Sequence, residues 1–238
     1  MLLKRWSETF AEMLGNFQHN PERAHLLLSS LEEMTGYFRE AVRRAAVTPG
    51  DGLLRALVIG KVDGDSLTED EIVTNAILTM VGGQETTTNL IGNGLLTLIR
   101  HPGELTRLRA DPALVPQAVE ELLRYESPSQ HTARVATEDT TIRDTPVRRG
   151  QAVIAVMGAA NRDPGQFPDP DRLDLARSSN RHLAFGWAAH FCFGAGLARV
   201  EGQVAFTELL RRFLACAPSP APSSGGRTWA CAASANCG

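Results

Sequence analysis

Residues 69–99 follow a helical pattern that is long and almost wholly apolar on several faces. A helix of that kind belongs at the centre of a fold. It has a well-marked start. Gly64 and Asp65 form a turn, Thr68 is the expected N-cap, and Glu71 stands three residues on as its capping-box partner. Its middle is unusual. Residues 81–88, VGGQETTT, place Gly82, Gly83, Glu85 and three threonines where Leu or Ala would be expected. Paired glycines weaken a helix, and β-branched residues do not restore it. One reading is a tolerated kink. The other is a deliberate local opening beside a ligand, which a glutamate in so apolar a helix favours.

The remaining pattern is mostly helical. Helices are expected at 6–17, 22–46, 52–59, 103–110 and 115–125, with breaks at Asn20-Pro21 and Thr48-Pro49-Gly50. Residues 132–136, 140–143 and 152–157 have strand-type content. They suggest a small sheet with a hairpin at Asp144-Thr145-Pro146. Residues 161–174, NRDPGQFPDPDRLD, read as irregular chain anchored by Phe167 and Leu173. A final amphipathic helix runs to about Leu214. The fold class is therefore mainly α with a small β-sheet.

Of the 238 residues, 43% are hydrophobic and 21% charged, an ordinary globular balance. The net charge of -3 gives no reason to expect nucleic acid as a partner. Polar residues interrupt even the stretch 72–99, so no membrane span is expected. The first residues lack a secretory apolar region, so the expected location is the cytoplasm. Cys192, Cys216, Cys231 and Cys237 form no C-x-x-C pair. Neither a disulfide framework nor a zinc site is expected.

The chemistry concentrates in residues 185–199, FGWAAHFCFGAGLAR. Phe185 and Gly186 lead into a loop, Cys192 ends it, and Gly194-Ala195 open a helix. A thiolate just before a helix N-terminus is stabilised by unpaired N–H groups and the helix dipole. Small residues beside it would let a flat macrocycle approach the backbone. The bland alternative is a buried cysteine among packing glycines. Elsewhere Glu121 and Arg124 are three apart on one helix and can share a face. Alone, that pattern is a common surface ion pair.

The 185–199 segment closely resembles the haem-binding signature of cytochromes P450, F-G-x-G-x-H-x-C-x-G-A-x-L-A-R. Phe185, Gly186, His190, Cys192, Gly194, Ala195, Leu197, Ala198 and Arg199 match, whereas Ala188 stands where the signature has glycine. Other segments resemble that family in the same order. GGQETT resembles the oxygen-activation segment of its long central helix, with Gly82 and Gly83 beside the cofactor and Glu85 and Thr86 as the acid–alcohol pair. Glu121 and Arg124 resemble its E-x-x-R, and Arg172 resembles the third partner of that pair. Arg134 and His190 resemble ligands of the haem propionates.

The resemblance implies haem b (iron protoporphyrin IX) on Cys192, with O2 as co-substrate. Electrons would come from NAD(P)H through a ferredoxin or flavoprotein reductase, and a small-molecule substrate of secondary-metabolite type would be monooxygenated. It spans residues 1–216 and implies that the family's earlier helices and first strands are missing. Exposed apolar surface is then expected to favour an oligomer or a partner chain. Residues 217–238, rich in Pro, Ser, Gly and Ala, are expected to be disordered, and a frameshift near Ala217 would account for them. Two other classes compete. One is a non-catalytic haem-binding or interaction protein of the same descent. The other is a cysteine enzyme with Cys192 as nucleophile and His190 as base, for which no orienting carboxylate lies nearby in sequence.

Overall fold

A computed structural model describes residues 2–15, 21–62 and 64–212. These fall into two compact units, with the division between Glu85 and Thr86.

The first unit holds α1 (Leu2–Gly15), α2 (Pro21–Val47), α3 (Leu53–Ile59), a two-stranded ladder of β1 (Lys61–Val62) and β2 (Asp65–Ser66), and the opening of α4 (Glu69–Arg100). Apolar side chains recur three and four residues apart and form one core. Trp6 on α1 joins Met34, Phe38 and Val42 on α2, and Ile72, Val73, Ala76, Ile77 and Val81 on α4. Trp6 is 1% exposed, and its indole N–H donates to Glu33 at 3.0 Å. Pro21 starts α2 at a position where its missing N–H costs no helical bond. At the other end of α2, Arg55 of α3 donates to the Ala45 and Ala46 carbonyls at 3.1 and 2.9 Å, supplying partners the helix end lacks. The capping box at α4 forms as expected. The Thr68 N–H donates to Glu71 at 2.8 Å, and the Glu71 N–H donates to the Thr68 hydroxyl at 3.3 Å. Of the expected Gly64-Asp65 turn, Gly64 is in the turn and Asp65 belongs to β2, opposite Val62, in a hairpin too short to show as strand pattern in the sequence.

The second unit continues α4 and adds α5 (Pro102–Ala110), α6 (Val115–Tyr125), four short strands, α7 (Met157–Ala160) and α8 (Ala195–Arg212). Its core gathers Leu90 and Leu98 of α4, Leu105 and Leu108 of α5, Val119 and Leu122 of α6, and Phe206 of α8. Glycines set the approach of the helices. A Cβ at Gly202 would lie 3.1 Å from Leu90 and 3.3 Å from Val119.

The strands β3 (Thr132–Val135) and β6 (Ala152–Ala155) pair antiparallel, as do β4 (Thr140–Ile142) and β5 (Thr145–Val147). The described β-structure is thus a set of separate two-stranded ladders rather than one small sheet. The expected hairpin is present, but its turn is Arg143-Asp144. Thr145 and Pro146 belong to β5, where Pro146 lies opposite Thr141 on a ladder with no third strand to bond. Arg143 takes the left-handed turn conformation at φ 52°. Phe167 and Leu173 anchor the irregular segment as expected, at 1% and 4% exposure. The end of the first expected helix, at residues 16–17, lies outside the described residues, as do residues 217–238 with their expected disorder and frameshift. No described helix is long and apolar enough to cross a membrane.

Candidate functional site

Helix α6 organises the site through two adjacent glutamates. Glu121 and Arg124 are both fully buried and bonded in a fork, with Arg124 Nε on Glu121 Oε2 at 2.8 Å and Nη2 on Oε1 at 2.9 Å. The rest of the Arg124 guanidinium reaches into the irregular segment, donating to the carbonyls of Asn161, Pro170 and Arg172. Glu121 also accepts from the Asp174 N–H, the Asn180 amide and Arg177 Nε. Here the sequence reading is corrected. The third side chain of the E-x-x-R group is Arg177, 3.1 Å from Glu121, and Arg172 takes part through its backbone carbonyl. Asn161, also buried, ties this cluster to the cysteine loop. Its side-chain Nδ2 donates to Ser127 Oγ and its side-chain Oδ1 accepts the Leu183 N–H at 2.7 Å.

The loop that follows carries Phe185, Gly186, His190, Cys192 and Gly194 and delivers the chain to Ala195, the buried first residue of α8. The Gly186 N–H donates to the Leu183 carbonyl, and Gly186 has φ 73°, a conformation glycine adopts at little cost. A single 3-10 turn, Ala188–His190, precedes the cysteine. The Cys192 N–H donates to the Phe185 carbonyl at 2.9 Å, which closes the loop, and the Cys192 carbonyl accepts the Ala195 N–H at 3.2 Å. The Cys192 thiol is free and partly exposed. Trp187, Phe191 and Phe193 are exposed on the same loop, and Leu197, Val200 and Val204 are exposed along α8.

Glu120, the neighbour of Glu121, faces this loop. Arg199 of α8 donates to it through Nε at 2.7 Å and Nη2 at 3.0 Å, and His182 Nε2 lies 3.2 Å from the same carboxylate. Burial disfavours the charged carboxylate. Hydrogen bonds from His182 and Arg199, with the Arg199 charge, outweigh it and hold the Glu120 pKa at about 2. Arg199 is raised above its ordinary value, mainly by the Glu120 hydrogen bond, with Cys192 contributing. Sequence reading missed Glu120, Arg177 and His182. The doubled glutamate beside Arg124 was the available signal, because two carboxylates on consecutive helical positions cannot serve the same face.

The other expected residues are placed as follows. α4 stays helical from Glu69 to Arg100, so the expected local opening around residues 81–88 is not formed. Each glycine costs a helix only about 1 kcal/mol, and the capped helix on either side sustains the pair. Glu85 and Thr86 are exposed, so Glu85 is not the buried carboxylate that its apolar surroundings suggested. Gly82 and Gly83 are exposed as well, and a Cβ at either would meet nothing within 4 Å. Arg134 is exposed on β3 and donates to Thr132 Oγ1 at 3.0 Å and the Ala133 carbonyl at 2.7 Å. His190 is exposed at the end of the 3-10 turn.

Comparison with known proteins agrees with this geometry. Residues 10–222 match the family described as Cytochrome P450. The chain belongs to the cytochrome P450 family. It is 41% identical over 210 residues to the biotin biosynthesis cytochrome P450 of Bacillus subtilis, covering 88% of this chain and 53% of that protein. It is 40% identical over 210 residues to 6-deoxyerythronolide B hydroxylase of Saccharopolyspora erythraea, covering 88% and 50%. The crystal structure of P450BioI in complex with hexadec-9Z-enoic acid ligated acyl carrier protein superposes with a TM-score of 0.84 at 39% identity, covering 95% of this chain and 59% of that one. The chain thus spans about half the length of the curated relatives it matches, and its mainly helical fold with short strands is part of the cytochrome P450 fold.

Within the P450 frame, the departure at Ala188 has a measurable consequence. Ala188 sits at φ 56°, in the left-handed region. For a residue with a Cβ that conformation costs roughly 1–2 kcal/mol, only partly offset by the lower unfolded-state entropy of alanine. Ala188→Gly is therefore expected to raise stability by up to about 1 kcal/mol, read as a higher midpoint in urea. A lower midpoint would mean the loop does not hold that conformation in solution.

Proposed function

We propose that this chain is the haem-thiolate portion of a cytoplasmic monooxygenase that inserts one oxygen atom from O2 into a small organic substrate. The observation that carries the reading is Cys192. Its free, partly exposed thiol stands just ahead of an eighteen-residue helix, in a loop closed by its own backbone N–H. The donor set suits a haem iron. One soft sulfur lies at the positive end of a helix dipole, which lowers the cost of the thiolate. Exposed rings and small residues give a flat apolar group room beside it. When bound, haem would supply oxygen activation, and an axial thiolate favours O–O cleavage over reversible oxygen carriage.

The protein's own residues then have defined tasks. Cys192 Sγ would hold the iron, with Phe185, Gly186, Gly194 and Ala195 shaping the backbone that presents it. Thr86 and Glu85 are assigned the holding and passing of protons, and Gly82 and Gly83 the close approach of α4 to the cofactor. His190 and Arg134 are assigned the haem propionates. The bonds of Arg134 to Thr132 Oγ1 and the Ala133 carbonyl both use Nη1, so a propionate would be met by the donors on Nε and Nη2. Electrons would come from NAD(P)H through a ferredoxin or flavoprotein. The relatives named for 6-deoxyerythronolide B and polyketide biosynthesis support a substrate of secondary-metabolite type.

The test is spectroscopic. Chain loaded with haem, reduced and treated with CO is expected to show the Soret band of thiolate ligation, and Cys192→Ala is expected to lose it completely. Persistence of that band in the variant would falsify the ligand assignment. Turnover with a surrogate oxidant then separates an oxygenase from a chain that only holds haem.

A further inference from the structure

We infer that Glu120 is a positioning residue for Cys192, acting through Arg199 and Phe185. The chain of contacts is continuous and lies wholly within the second unit. Glu120 grips the Arg199 guanidinium at two nitrogens, 2.7 and 3.0 Å. That plane lies over the Phe185 ring, with Cζ 4.6 Å from the centroid. Phe185 in turn accepts the Cys192 N–H on its carbonyl. Its ring also meets Phe191, the residue before the cysteine, at 6.2 Å.

His182 joins the clamp at the same carboxylate. Its Nδ1 accepts the Ala184 N–H at 3.2 Å, so the proton sits on Nε2, which is the atom facing Glu120. The imidazole is thereby fixed at both nitrogens, and its ring stands 5.8 Å from Phe185. Phe185 therefore contacts both a histidine and an arginine that share one carboxylate. This carboxylate does not touch the cluster around Glu121 and Arg124 through any of these bonds. Loosening it should free the loop while leaving that buried cluster intact.

The expectation concerns local opening rather than global stability. Glu120→Gln removes the charge behind both Arg199 bonds, and charge-assisted hydrogen bonds are markedly stronger than neutral ones. Amide exchange at Cys192, followed by mass spectrometry on the full chain, is expected to speed up about tenfold or more in this variant. Exchange along residues 115–125 should stay within about twofold. Arg199→Lys keeps the charge but loses the planar fork, and is expected to behave like Glu120→Gln. Asp139→Asn, which breaks the exposed pair with Arg148, serves as the control and should change nothing at Cys192.

The consequence for the thiolate rests on the haem reading, so a second arm addresses it separately. In haem-loaded, reduced and CO-treated Glu120→Gln, the fraction showing the thiolate-type band should fall at least twofold against the wild type. Unchanged exchange at Cys192, or exchange that rises equally throughout α6, overturns the clamp. Faster exchange with an undiminished thiolate band overturns the positioning role. A wild-type chain that binds no haem fails the ligand assignment alone, and the exchange result still decides the clamp.

Discussion

Replacing Arg124 by alanine is expected to cost about 3–5 kcal/mol of folding stability, the usual penalty for breaking a buried ion pair from one side. A guanidinium has five N–H donors, and each is used here. Nε goes to Glu121, the two hydrogens of Nη1 go to the carbonyls of Asn161 and Pro170, and those of Nη2 go to Glu121 and the carbonyl of Arg172. The side chain is fully buried, so water cannot replace these partners without entering the core. Arg177, Asn180 and the Asp174 N–H would still serve Glu121, which keeps the cost from rising higher. The Arg172 carbonyl keeps Arg177 Nη2 at 3.1 Å, but the carbonyls of Asn161 and Pro170 lose the Arg124 bond, and they belong to chain with no regular ladder of its own. Arg124→Lys should recover little, because a single ammonium cannot reach both the carboxylate and three carbonyls. Urea denaturation with a fitted slope measures the loss. Proteolysis of the variant should open first within residues 161–180. A loss below about 1 kcal/mol, the scale of a surface pair, would show that the segment is held by Phe167 and Leu173 instead.

What could be read from the sequence follows from which features are periodic. Helix α6 was expected at its observed bounds because apolar residues and a flanking proline mark both its face and its start. The capping box at Thr68 and Glu71 was legible for the same reason, since it is a local device with fixed spacing. Arg172 and Arg177 show the limit. Both lie in irregular chain, and nothing in local spacing says which guanidinium turns toward Glu121. That choice is made by carbonyls and side chains far apart in sequence. Glu85 failed differently. The apolar character of α4 is an average over several faces, and it hides that residue 85 lies on an exposed one. The family signature located the cysteine loop without its supports. Glu120 and His182 fall outside the pattern, so their part in holding Phe185 emerges only from the packing of α6 against α8. The departure at Ala188 was visible as a letter, but its cost needed the backbone angle.

Gly94 gives the last expected result, and its sign is the diagnostic. Gly→Ala within a helix ordinarily stabilises by about 1 kcal/mol. Gly92, on the same helix, is exposed and would place its Cβ in open space, so Gly92→Ala should show that gain. Gly94→Ala should do the opposite. Its Cβ would lie 2.5 Å from Phe206 Cζ and 3.1 Å from Leu122 Cδ1, and both neighbours are core residues at 1% exposure. Overpacking of this kind costs about 1–3 kcal/mol. Phe206→Ala removes the obstruction but leaves a cavity, and is expected to cost about 3–5 kcal/mol. The two sites touch, so their effects should not add. Gly94→Ala placed on Phe206→Ala should cost little further, because its Cβ enters the space the ring vacated. Thermal midpoints of the four chains give the coupling directly. Simple additivity would mean that α4 and α8 do not meet through this pair, and the packing that seats the middle of α8 would have to lie elsewhere.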